Sequence, residues 1–284
     1  MKPKGIISLI ILVLALVGLY IYQSLVFFDG KLHVVVCNVG QGDAIFIRTS
    51  DAKDILIDGG PDNSVLDCLS NHMPFWDREI ELVMLSHPHS DHYTGLLEVM
   101  KRYKVIHYVT EKVENGENEV SKLNKELADK NLNAKYLLRG DKIDISGQTQ
   151  LLTLWPEKGI AKLGKDTDVN GSGLIELLTF QSFKMLLTDD VGYKSEELAS
   201  SGIGKIDVLK VPHHGSSTGM SKDFLSNMDP RLAVISVGKG NSFGHPALSS
   251  LNLLKEDNIK TLRTDMDGEV EIVSDGKSFT YKTN

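Results

Sequence analysis

The chain opens on a long apolar run. From Gly5 to Phe28, 24 successive positions carry no charged side chain. As a helix this run is about 36 Å long at roughly 1.5 Å per residue, enough to cross a hydrocarbon core of about 30 Å. Lys2 and Lys4 precede it, and flanking positive charge holds its own side of a span in the cytoplasm. The pattern predicts a cytoplasmic tail and membrane anchor over 1–28, with 29–284 as one domain on the outer side. A cleaved signal peptide is the rival reading. Against it, the run is long, and Tyr20 to Phe28 is bulky where a cleavage site would need small residues.

Beyond the anchor the apolar positions fall into short runs separated by Gly, Asp and Asn. Leu32–Val39, Ala44–Arg48 and Ile55–Ile57 read as strands of a meander, with Gly40-Gln41-Gly42-Asp43 as a tight turn. A helix is expected over Asp62–Asn71, a buried strand at Leu82–Leu85, a helix from about Thr94 or Gly95, a strand after Lys101 and a surface helix over Glu117–Lys130. The second half repeats the alternation. Strands are expected at Leu151–Leu154, Leu174–Phe180, Phe183–Leu187, Ile206–Val211, Leu232–Val237, Glu269–Val273 and Ser278–Tyr281, and helices near Ser195–Ala199 and Ala247–Leu254. Periodicity alone gives a mixed α and β domain.

Charge and cysteine content narrow the picture little. The net charge is −7, and without Lys2 and Lys4 the remainder is more acidic still. Such a surface does not suit tight non-specific binding to DNA, which depends on Lys and Arg. It leaves open a nucleic-acid substrate met by divalent ions, which reverse the local field. Two cysteines, Cys37 and Cys68, do not make a disulfide framework. Cys37 lies in an apolar strand pattern and is expected to be a buried free thiol.

The chemistry concentrates in His87-Pro88-His89-Ser90-Asp91-His92, directly after the strand Leu82–Leu85. Imidazole and carboxylate are ligands of zinc and its neighbours. Three His and one Asp exceed what one tetrahedral ion takes from one segment, so two metals are expected. His87 and His89, two apart in extended backbone, point the same way and suit one ion. Asp91 and His92 follow as the chain turns, and suit a second. His33, His72 and His107 lack partners in sequence and read as structural.

This HxHxDH run resembles the signature of the metallo-β-lactamase superfamily. Val39–Ala44, Leu56–Gly60, Leu186–Asp190, Lys210–Ser216 and Asn241–Pro246 look similar to the hydrolase domain of ComEC-type competence proteins, and the teichoic acid phosphorylcholine esterases look similar in the same segments. The resemblance covers roughly residues 31 to 283. It implies a four-layer αβ/βα sandwich behind one transmembrane helix, and a binuclear site. In that site Asp190 bridges the ions, one of His213 and His214 completes the second, and Asp58 supports the His loop. Spacing does not say which of the two His is the ligand. Asp91, His214 and His245 are the candidates for proton handling and substrate contact. Asp43 and Asn170 join Asp58 as supporting residues.

Two departures stand out. Many members have a further His between the motif and the bridging Asp, but none occurs here between Tyr108 and Asp190. An oxygen ligand from Asp166, Asp168 or Asn170 is the expected substitute, which favours manganese as much as zinc. Asp189 stands where the family usually has Gly, and a side chain there is expected to crowd or charge Asp190. Paired divalent ions hydrolyse phosphate esters, amides and thioesters alike. The two relatives point to a phosphodiesterase acting outside the membrane on nucleic acid or a teichoic-acid-like polymer. A hydrolase of another bond (β-lactam, thioester) and a non-catalytic binding protein that keeps the fold are the alternatives.

Overall fold

The computed structural model describes residues 3–112, 121–158 and 173–284. Helix α1 (Pro3–Phe27) is apolar on all sides and buries none of its length, and it is long enough to cross a membrane. Strands β1 (Leu32–Val36), β2 (Ile45–Arg48) and β3 (Asp54–Ile57) then form an antiparallel meander. Helix α2 (Ser64–His72) leads to β4 (Glu79–Leu85), α3 (Ser90–Arg102) to β5 (Lys104–Thr110), and α4 (Ser121–Asp129) to β6 (Ala134–Tyr136). From β3 to β6 the strands run parallel.

The second half follows the same plan. Strands β7 (Lys142–Ser146), β8 (Thr149–Trp155), β9 (Ile175–Phe180) and β10 (Phe183–Leu187) are antiparallel. Helices α5 (Tyr193–Ser200), α6 (Lys222–Met228) and α7 (Leu248–Glu256) then alternate with parallel strands β11 (Val208–Lys210), β12 (Leu232–Ile235) and β13 (Lys260–Arg263). A short helix α8 (Thr264–Asp267) precedes the hairpin β14 (Val270–Ser274) and β15 (Phe279–Thr283), which returns to the first sheet beside β1. The sheets have eight and seven strands.

The layering follows from residues that are apolar on both sides of a strand. In β1, Val34 and Val36 join Met185, Leu187 and Val208 of the other sheet in the central core. Val35 and Cys37 point the opposite way, onto Val65, Leu69 and Leu96 of α2 and α3. A third cluster seats Phe224, Leu225 and Leu254 of α6 and α7 on the outer face of the second sheet. Strands covered on both faces read as nearly continuous apolar runs, which is why the sequence marks them well. The result is the αβ/βα sandwich.

The strands that the pattern missed share a position. β6, β7 and β13 each lie at the edge of a sheet and carry Lys135, Lys142, Asp144, Lys260 or Arg263. Charged edge strands resist further pairing and lose the apolar signature. The cysteine expectation is corrected outright. Cys37 and Cys68 form a disulfide, with Cα atoms 5.8 Å apart and a separation of 31 positions in sequence. Cys37 looked like an isolated core thiol because nothing local shows α2 folding back over the end of β1. A bridge closing a loop of this size stabilises by about 2–4 kcal/mol.

Candidate metal centre

Parallel strands leave their C-terminal ends at one edge of the sandwich, and the candidate ligands follow those ends. His87–His92 come after β4, Asp189 and Asp190 after β10, and His213 and His214 after β11. Helix α3 begins at Ser90, four or five residues earlier than the apolar pattern suggested, so Asp91 and His92 lie in its first turn. The apolar face starts later because these positions serve the site. Asp91 also suits a helix N-terminus electrostatically. The Gly40–Asp43 turn closes over this helix. The backbone N–H of Asp43 donates to Asp91 O at 3.3 Å, and a Cβ on Gly42 would sit 2.2 Å from that same oxygen. Only glycine permits the approach.

Asp91, His92, Asp190 and His214 each offer a ligand atom, all within 4.8 Å of one another. Asp190 Oδ2 lies 3.3 Å from His214 Nε2, 3.5 Å from His92 Nε2 and 3.9 Å from His213 Nε2. Asp91 Oδ2 lies 3.7 Å from His214 Nε2 and 3.9 Å from His92 Nε2. His87 packs against the same group, its ring centroid 4.0 Å from that of His92 and 4.5 Å from that of His89. His213 and His214 do not continue the strand. Both take left-handed backbone, with φ of 47° and 52°, a conformation that costs about 1–3 kcal/mol for each non-glycine residue. The turn buries His214 among the ligands and leaves the His213 side chain 26% exposed at the rim.

The imidazoles are wired from behind. His92 Nδ1 is 2.9 Å from Asp58 Oδ2, His214 Nδ1 is 3.0 Å from the carbonyl of Ser236, and His87 Nδ1 is 2.8 Å from Asp189 Oδ1. Each of these acceptors is an oxygen, so Nδ1 carries the proton and Nε2 keeps its lone pair. Nε2 of His87, His92 and His214, with Asp190 Oδ1, are buried and have no hydrogen-bond partner among the described residues. Buried nitrogen lone pairs and a carboxylate oxygen left unpaired in one place are costly unless a cation takes them. With each His held by an oxygen acceptor behind it, this is the donor set of a metal centre. The residues fit divalent ions.

The electrostatics agree. Burial pushes Asp91 and Asp190 toward the neutral form, but neighbouring His214 and His92 prevail. Asp91 is held at about 2 and Asp190 well below the usual carboxylate range. Burial likewise works against charge on the two imidazoles, and the carboxylates overcome it. Asp190 and Asp43 lift His214 to about 10, and Asp58 and Asp190 raise His92 well above its ordinary value. The carboxylates thus demand positive charge at this point. A divalent ion supplies it and leaves the imidazoles neutral.

Asp189 departs from the expected crowding. Its carboxylate faces His87 Nδ1 and lies 2.9 Å from Ser86 Oγ, which also donates to Asp58 Oδ2 at 2.6 Å. Room for it comes from Gly173, where a Cβ would stand 1.8 Å from Asp189 Oδ2. Asp189 orients the His87 ring just as Asp58 orients that of His92. Three supports were not legible as such: Ser86, Ser236 and Lys210. Lys210 is wholly buried on Asp43 Oδ2, and its one signal was a lysine inside the apolar run Ile206–Val211. Asp43 Oδ1 in turn lies 3.6 Å from His214 Nδ1. His245 stands at the rim, with its ring centroid 5.7 Å from that of His213 and 6.4 Å from that of His214. Burial first, then His213 and His214, lower its pKa from the ordinary value. Asn170, Asp166 and Asp168 lie outside the described residues. His33 and His72 pair with Glu271 and Glu269 away from the site, at 2.7 and 2.6 Å.

Known proteins share both sequence and fold with this chain. It is 27% identical over 272 residues to ComE operon protein 3 of Bacillus subtilis (strain 168), covering 89% of this chain and 34% of that protein. It is 28% identical over 243 residues to Recombination protein 2 of Haemophilus influenzae, covering 83% and 28%. The chain thus spans about a third of the length of these relatives. The crystal structure of Zn(2+)-bound PqqB from Methylobacterium extorquens matches with a TM-score of 0.55 at 12% identity, covering 81% of this chain and 97% of that one. The family description "Metallo-beta-lactamase superfamily" matches residues 37–239, which include the HxHxDH run, Asp190 and both His213 and His214; the chain belongs to the metallo-β-lactamase superfamily.

Proposed function

We propose that this protein is a membrane-anchored, outward-facing phosphodiesterase dependent on two divalent ions, zinc or manganese, with nucleic acid or a teichoic-acid-like polymer as substrate. The observation that carries the reading is the set of three buried imidazoles, each with Nδ1 tied back and Nε2 unpaired, those of His92 and His214 lying beside Asp190. His92, Asp91 and His214 would hold one ion, His87 and His89 the other, and Asp190 both. Bound there, divalent ions activate water at neutral pH and neutralise charge on a phosphodiester.

The chain's own groups do the rest. Asp91, ionised and partly open, would accept a hydrogen bond from the attacking water and orient it. Asp58, Asp189 and Ser236 keep the ligand rings in place. His213 and His245 line the mouth, where a phosphate oxygen or leaving group would lie. Similarity to competence proteins favours a phosphodiester over a β-lactam or thioester. The Cys37–Cys68 disulfide supports the outward orientation, because such bonds persist in oxidising compartments. The fit of Asp189 against His87 speaks against a non-catalytic descendant.

The test is metal analysis of the purified chain joined to hydrolysis of bis-p-nitrophenyl phosphate and single-stranded DNA with zinc or manganese. Turnover that disappears in Asp91→Ala and His92→Ala is expected. Turnover of nitrocefin in place of phosphodiesters would move the reading to another bond. A chain that takes up no metal would overturn it.

A further inference from the structure

The end of the sandwich opposite the metal centre carries an aromatic loop fastened to the apolar helix. Tyr20 of α1 packs on Trp76, ring centroids 4.6 Å apart, and Trp76 meets Phe75 edge-on at 5.0 Å. The backbone N–H of Phe75 donates to Gln23 Oε1 of α1 at 3.0 Å. The Arg48 guanidinium, which binds Asp54 and reaches Asp77 at 3.2 Å, lies 5.7 and 5.5 Å from the rings of Phe27 and Phe28. Phe75 is nevertheless 52% exposed.

From this arrangement we infer that the loop between α2 and β4, led by Phe75 and Trp76, is seated in the lipid bilayer at its outer surface. This rests on the reading that α1 spans the membrane. Counted from Gly5, about 20 helical residues cover a core of about 30 Å and end near Ser24. Tyr20 then lies some four residues, about 6 Å, inside the outer boundary of the hydrocarbon. A ring stacked on Tyr20 cannot stand in bulk water. Trp and Tyr are the side chains that settle at this boundary, with an apolar body and a polar tip. Exposed Arg78, Lys101, Arg102 and Lys104 lie at the same end of the sheet, at the start of β4 and β5. Glu79 and Glu98 pair with Lys104 and Lys101. The charges at this edge are thus mixed, and Arg78 and Arg102 are the exposed cations there that can meet phosphate headgroups.

The domain is therefore held in a set orientation rather than tethered loosely. Strand β4 begins beside the loop at Glu79 and ends at Leu85, two residues before His87. Its seven residues, at roughly 3.3 Å each, keep the metal centre about 20 Å along the sheet from the lipid-facing end.

The chain has two tryptophans, and Trp155 is buried in the core. The full chain is reconstituted into phosphatidylcholine–phosphatidylglycerol vesicles containing lipids brominated at the headgroup end or the methyl end of the acyl chain. The expected result is at least a halving of tryptophan emission by the headgroup-end bromines and less by the methyl-end ones. In Trp76→Phe the lipid quenching should vanish. Alkaline carbonate extraction of the same vesicles tests the span itself. A chain that resists extraction but whose Trp76 emission is quenched by aqueous iodide and not by brominated lipid would overturn the docking and leave the anchor standing. A chain washed off by carbonate would remove both.

Discussion

The floor and the rim of the metal centre are built by opposite rules. On the floor, His87, His92 and His214 are fully or almost fully buried, and each is held by an oxygen acceptor. At the rim, His213, His245 and Phe243 are partly or largely exposed, and Phe243 stacks on His245 with centroids 6.0 Å apart. The rim loop is shaped by backbone contacts to one residue. Asn241 Nδ2 donates to the carbonyls of Gly238 and His245, and Asn241 Oδ1 accepts from the N–H groups of Phe243 and His245. Ligand geometry tolerates little movement, so it is set in a packed interior. Groups that meet a substrate must let it enter and leave, which suits a loop whose side chains face solvent.

The largest expected effect comes from breaking the floor. Asp190→Ala should abolish binding of the metal pair and lower turnover by several kcal/mol, on the order of 10³-fold, read by metal analysis and phosphodiester hydrolysis of the same sample. Next come the supports. Asp58→Asn and Asp189→Gly should each weaken metal affinity by about 10–100-fold, measured by competition with a chelating dye. Asp189→Gly is the sharper case, since it installs the residue usual in the family. Unchanged affinity there would mean that His87 is oriented without Asp189. At the rim, His245→Ala should raise KM by about 10-fold while metal content stays constant, a size in keeping with one lost polar contact of about 1.4 kcal/mol.

A separate effect, apart from metal and substrate, concerns stability alone. Glu176, buried below the floor with Thr153 Oγ1 at 2.7 Å, is pushed by burial up to about 8. The folded chain keeps this proton while the unfolded chain loses it near the ordinary value of 4.5, so stability should fall as pH rises from about 4.5 to 8. Glu176→Gln should flatten that slope in thermal unfolding followed across the interval.

Much of this was legible because it is local. The apolar run of α1, the strands buried on both faces and the HxHxDH segment each declare themselves within a dozen residues. What stayed hidden depends on distant segments meeting. The disulfide needed α2 to lie over β1. The role of Asp189 needed the space at Gly173 and the Nδ1 of His87. The burial of His214 and the rim position of His213 follow from a left-handed turn that neither side chain forecasts.

Residue types and their spacing determined by themselves which groups are available for metal chemistry and which strands form the interior. Only the tertiary structure decided which nitrogen of each imidazole is free, because that depends on an acceptor supplied from elsewhere in the chain: Asp58 just after β3, Asp189 after β10, Ser236 just after β12. A side chain's ligating ability is intrinsic, but its direction and protonation are imposed by neighbours brought together when the two sheets pack.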